Sequence, residues 1–130
     1  MSVETMGLTH LALAVRDVER SLRFYEQVFG ARVGWRGGRS VQINTPGSND
    51  VIVLEESTSE EVGRSAGVGH FGFRLVRPED IEAAIAAVSE AGGKIEDHGE
   101  FEPGEPYVFF RDPDGYVVEV WYEKEPSSSG

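Results

Sequence analysis

Gly7-Leu8-Thr9-His10-Leu11-Ala12-Leu13-Ala14-Val15 is a short, alternating, β-rich stretch that runs into a helical pattern, and the chain carries it twice. The second copy reads Gly67-Val68-Gly69-His70-Phe71-Gly72-Phe73-Arg74-Leu75. Each copy then closes its helical pattern on glycine, at Gly30-Ala31-Arg32-Val33 and at Gly92-Gly93-Lys94-Ile95. The histidines are 60 residues apart and the closing glycines 62, so the copies drift by only two positions. Such self-similarity marks a repeated supersecondary unit. A repeat that sets an imidazole at one structural point twice can bring the two together by pseudo-symmetry.

Working outward, residues 9–15 place His10, Ala12 and Ala14 on one face and Leu11, Leu13 and Val15 on the other. Asp17 is the expected N-cap of a helix whose stripe is Val18, Leu22, Tyr25 and Phe29, stopped by Gly30. Strands are expected at 31–36 and 40–44, joined by Gly37-Gly38, and at 50–55 after a Pro46-Gly47-Ser48-Asn49 turn. The second copy predicts a strand at 68–75 and a helix with Pro78 at its start, Glu79 and Asp80 in its first turn, and Ile81, Ala84, Ile85 and Val88 inward. Strands follow at 94–97, 107–111 and 116–122, the last two joined by Asp112-Pro113-Asp114-Gly115.

The order is βαβββ twice, an α+β chain. One domain over 1–130 is expected, with modules at about 7–55 and 68–122, a Glu-, Ser- and Gly-rich linker at 56–67 and a tail at 126–130. The two modules are expected to form an open, barrel-like cup of mixed sheet. The Leu or Phe face of each first strand covers a helix, which turns His10 and His70, beside small Ala12, Ala14 and Gly72, into the concavity.

Composition excludes several functions. With 12 basic and 23 acidic side chains the net charge is −11, a field that repels nucleic acid and anionic membrane surfaces. Cysteine is absent, so any metal must be held by nitrogen and oxygen. No apolar run approaches the ~20 residues of a membrane span, and no signal pattern opens the chain, so a cytoplasmic location is expected.

On the last strand Val117, Glu119 and Trp121 share one face, while Val118, Val120 and Tyr122 share an apolar one suited to packing on a helix. Glu119 is thereby left on the concave side with His10 and His70. A carboxylate in an apolar cup is costly unless paired or bound to a cation. Two imidazoles and one carboxylate with open coordination positions suit a divalent Fe, Mn, Ni, Co or Zn ion. Other readings remain open at this point: His10 as a hydrogen-bonded strand histidine, and Glu119 paired with Arg74.

These pieces resemble the vicinal oxygen chelate superfamily, the group of glyoxalase I, fosfomycin-resistance proteins, extradiol dioxygenases and bleomycin-resistance proteins. The resemblance rests on residues 8–15 with Ser21-Leu22-Arg23-Phe24-Tyr25 and Phe29-Gly30, on Gly69-His70-Phe71-Gly72-Phe73, and on residues 110–119 around Asp112-Pro113-Asp114-Gly115. It implies paired βαβββ modules in an open cup with metal at His10, His70 and Glu119. It also implies a homodimer, in which the cup closes either within one chain or between two. Departures narrow the choice. Val53 stands where glyoxalase I and related epimerases carry a fourth ligand, with Glu55 two residues on. Ala12 stands where fosfomycin enzymes have threonine, and Phe109 where extradiol dioxygenases have tyrosine. His98 matches no catalytic histidine of that group.

Arg74 is the expected buried cation of the pocket, and Trp35, Val53, Phe101, Tyr107, Phe109 and Trp121 are candidate walls for a small-molecule substrate. Residues 99–106 have the composition of a mobile lid, or of a plain polar connection. The expected function is a metal-dependent enzyme on an oxygen-chelating substrate, with Glu119 at the reacting centre. The competing expectations are a metal-free drug- or metabolite-binding protein and a degenerate module acting only through dimerisation.

Overall fold

The computed structural model describes residues 2–124, so the expected tail at 126–130 lies outside the described residues. The chain divides into two compact units, Met1–Val62 and Gly63–Gly130, with the division inside the stretch expected as a linker. Unit one runs β1 (His10–Val15), α1 (Val18–Phe29), β2 (Arg32–Gly37), β3 (Ser40–Asn44) and β4 (Val51–Glu56). Unit two repeats the series as β5 (Phe71–Arg74), α2 (Ile81–Glu90), β6 (Lys94–Glu102), β7 (Glu105–Arg111) and β8 (Val117–Trp121). The sheets are ordered β1-β4-β3-β2 and β5-β8-β7-β6. In each, the first strand pairs in parallel with the last and the remaining pairs are antiparallel. The expected α+β architecture of two βαβββ units is what the chain adopts.

Local chemistry sets the elements. The Asp17 carboxylate accepts from the Glu19 and Arg20 amides, and Gly30 closes α1 in the left-handed region at φ 67°. The buried arc of α1 is wider than the single expected stripe. Leu22 and Tyr25 are buried as anticipated, Val18 and Phe29 only half so, and Ser21 and Phe24 join the interior. On the sheets, strict alternation sends Val41, Ile43, Ile52 and Leu54 inward in unit one and Val108, Phe110, Val118 and Val120 inward in unit two. Each such side chain contributes roughly 1.5–3 kcal/mol through burial. Helix α2 is covered less completely: Val88 is buried, while Ile81, Ala84 and Ile85 are half-buried.

Two expectations need correction. Strand β5 spans Phe71–Arg74 rather than 68–75, because Ala66 and Gly67 adopt positive φ and turn the chain just before it. Residues 99–106 are not an unpaired polar connection: β6 continues to Glu102 and pairs Gly99 with Tyr107 and Glu102 with Glu105 across a turn at Gly104. The linker is also seated. A Cβ on Gly63 would collide with the Asp114 carbonyl, so residue 63 lies tightly against the 112–115 turn.

Register makes the repeat explicit. One ladder in unit one reads Ala12–Val53–Gln42–Trp35, and its counterpart in unit two reads Gly72–Glu119–Phe109–Asp97. Both ladders end on an edge strand just beyond a bulge, at Val33/Trp35 and at Ile95/Asp97. Val53 therefore holds in unit one the position that Glu119 holds in unit two.

Candidate metal centre

Glu119 sits in the middle of β8 between buried Val118 and Val120, which fixes its side chain on the opposite face of the sheet. His70 immediately precedes β5, the parallel neighbour of β8, one residue before the Phe71–Val118 pair. This register brings His70 Nε2 within 3.3 Å of Glu119 Oε1, with the carboxylate side chain only 12% exposed and the imidazole 44%. Phe109, opposite Glu119 on β7, meets the His70 ring edge-to-face at 5.0 Å and 88°, which orients the imidazole. Gly72 leaves the space this needs, since a Cβ there would lie 3.2 Å from the Glu119 carbonyl and 3.5 Å from Trp121.

The donor set fits a divalent cation. Two ligand atoms each about 2.0–2.2 Å from one ion stand about 3.0–3.5 Å apart, and His70 Nε2 and Glu119 Oε1 already have that separation. Among the described residues no group of three His, Asp or Glu side chains is gathered that could hold a metal. His70 and Glu119 are brought together within unit two, while His10 opens β1 of unit one, exposed and paired with Val51.

Arg74 is not the buried cation expected. It is exposed on β5, with its guanidinium 5.5 Å from the centre of the Trp121 ring and Nη2 donating to the Glu123 carbonyl at 2.9 Å. Glu119 pairs with His70. Trp35 is 51% exposed and folds over Gly37 of its own strand, where a Cβ would approach the indole to 2.5 Å. Val53 is half-buried beside Ala12 and Gln42. Phe101 is 57% exposed and stacks on Tyr107 at 4.2 Å and 15°.

Tyr107 donates to Asp97 Oδ2 at 3.1 Å. Withdrawal from water, the hydrogen bond to Asp97, and the negative charges of Asp97 and Glu119 hold this phenol above its ordinary 10.0. Asp97 escaped sequence reasoning. Its place opposite Phe109 depends on the bulge in β6, which no local motif announces. A cleft of about 520 Å³ beside Glu119 is also lined by Phe101, Trp121, Tyr122, Glu102, Glu105 and Glu123.

The family model of the Glyoxalase/Bleomycin resistance protein/Dioxygenase superfamily matches residues 7–120. Catechol-2,3-dioxygenase of Bacillus subtilis (strain 168) is 32% identical over 128 residues, 96% of this chain and 44% of that protein. A manganese-dependent 2,3-dihydroxybiphenyl 1,2-dioxygenase of Geobacillus genomosp. 3 is 28% identical, over 96% of this chain and 39% of its own. A lactoylglutathione lyase of Haemophilus influenzae is 27% identical, over 96% of this chain and 98% of that one. The chain thus spans less than half the length of these two dioxygenases and nearly all of the lyase. Among solved structures, a FosX fosfomycin resistance protein of Listeria monocytogenes, in complex with Mn(II) and 1S,2S-dihydroxypropylphosphonic acid, has a TM-score of 0.74. It is 19% identical over 90% of each chain, a likeness of fold. Among the described residues no helix is long and apolar enough to cross a membrane. From the doubled βαβββ register to the relatives that share it, the chain belongs to the glyoxalase, bleomycin-resistance and dioxygenase superfamily.

Proposed function

We propose that the protein is a divalent-metal-dependent enzyme, active as a homodimer, on a small substrate that offers one or two oxygens to the metal. His10, His70 and Glu119 are the proposed ligands. The observation that carries this reading is the His70–Glu119 pair, a nearly buried carboxylate at ligand-to-ligand distance from an imidazole. A divalent ion bound there supplies Lewis-acid stabilisation of negative charge on a substrate oxygen.

The chain's own residues do the remaining work. Glu119 provides the compensating negative charge, and Phe109 holds the His70 ring in one plane. Trp121 and Phe101 line the adjoining cleft and offer it aromatic surface. Val53 takes no proton, so the ladder position matching Glu119 offers no second carboxylate. That favours reactions needing no base at this point over isomerisation of a glutathione hemithioacetal.

The test is an activity screen of metal-loaded protein covering ring-cleaving oxygenation, thiol transfer and epimerisation, repeated after chelation. One activity is expected, lost with chelator and restored by a single divalent metal. Ligand binding that survives both chelation and His70→Ala, without turnover, makes the protein a metal-free binder instead.

A further inference from the structure

The cleft beside Glu119 has a composition that the metal ligands do not explain. Its lining joins three aromatic residues, Phe101, Trp121 and Tyr122, to four carboxylates, Glu102, Glu105, Glu119 and Glu123. The Phe101 wall is held in place. Phe101 lies flat on Tyr107, whose ring crosses Gly99 and whose hydroxyl is tied to Asp97. Residues 99–106 form a hairpin whose register shifts between Glu100 and Glu102, so Phe101 stands at a bulge and its ring rests on Tyr107. Trp121 already carries a cation: the Arg74 guanidinium lies over its ring and bonds the Glu123 carbonyl. Aromatic faces and carboxylates attract positive charge and resist negative charge.

We propose that this cleft is the second subsite of the proposed enzyme, seating a planar group against Phe101 and selecting cationic over anionic substituents on a chelating substrate. The inference rests on the metal reading above and extends it to the substrate. Tyr107 is a positioning residue here: it fixes the Phe101 platform through its bond to Asp97.

Calorimetry on Zn(II)-loaded and chelator-treated protein tests the proposal with three probes of one chelating head: catechol, dopamine and 3,4-dihydroxybenzoate. Loaded protein is expected to bind dopamine at least about tenfold more tightly than 3,4-dihydroxybenzoate, with a ratio that shrinks as ionic strength rises. The double variant Glu102→Gln/Glu123→Gln is expected to reduce that ratio by about fivefold or more. Tyr107→Phe is expected to weaken all three probes together while keeping the ratio of dopamine to 3,4-dihydroxybenzoate, with the melting temperature and the number of sites unchanged, which separates it from a loss of folded protein. Equal affinities, or a ratio unchanged in the double variant, overturn the subsite while leaving a metal-dependent catechol interaction intact. A preference that persists after chelation upholds the subsite and overturns the metal's role. No binding of any probe with or without metal overturns both.

Discussion

Glu119 illustrates how one position gathers several constraints. Its neighbours Val118 and Val120 must face the interior, so the carboxylate has one direction to point, and β5 delivers His70 to the same place. Removing either partner acts on the other. Glu119→Gln keeps the shape but removes the charge, and is expected to weaken Zn(II) binding by about 100-fold or more in a metal titration. Tyr107 gives a second check at this scale. Spectrophotometric titration is expected to show the Tyr107 phenol ionising above 10.0, a component missing in Tyr107→Phe and shifted downward in Asp97→Asn. Since the folded-state value is the raised one, the stability it contributes is whole below 10.0 and is lost as pH rises through the folded pKa. The two faces of residues 116–122 were legible as alternation, which is why Glu119 was found. Asp97 was not, because its role arises from a bulge and a partner ten residues away.

At the scale of elements, turns are specified as sharply as strands. Asp112 is buried, and its carboxylate accepts from the amides of Asp114, Gly115 and Tyr116 at 3.0, 3.1 and 3.0 Å. Asp112→Ala leaves the Asp114 and Tyr116 amides without this acceptor, while Gly115 keeps its bond to the backbone carbonyl of residue 112, and is expected to lower unfolding stability by about 2–4 kcal/mol in urea denaturation. Gly63 packs against the same turn at φ 84°, with the Asp114 carbonyl in the way of any Cβ. Gly63→Ala is expected to destabilise by about 1–3 kcal/mol through backbone strain and displacement. The Asp112-Pro113-Asp114-Gly115 signature and the Asp17 cap were readable because their hydrogen bonds are local. The hairpin at 99–106 was misread because its pairing is set by Tyr107 and Glu105 across the turn, while its own residues, rich in Glu, Gly and Pro, resemble a loop.

For the whole molecule, duplication is the organising fact, and it was visible from two histidines and two closing glycines. The copies share strand order, parallel first-to-last pairing and a bulge, yet diverge at the ladder where chemistry is expected. Val53, Gln42 and Trp35 in one unit answer Glu119, Phe109 and Asp97 in the other. Charge diverges too: residues 63–130 hold fourteen acidic and six basic side chains, against nine and six in residues 1–62. The unit with the candidate centre is therefore the more negative one, as cation binding favours. Topology was legible because each module repeats the same polar and apolar rhythm. The detailed wall of the cleft was not, since it depends on which aromatic leans on which across neighbouring strands.

Calorimetric titration of metal-free protein with Zn(II), in parallel for the parent chain and for His10→Ala, His70→Ala and Glu119→Ala, bears most directly on the central claim. One site per chain is expected, weakened by about 100-fold or more in each variant while thermal unfolding stays cooperative. Absence of binding by the parent chain, or undiminished affinity in the Glu119→Ala protein, contradicts it.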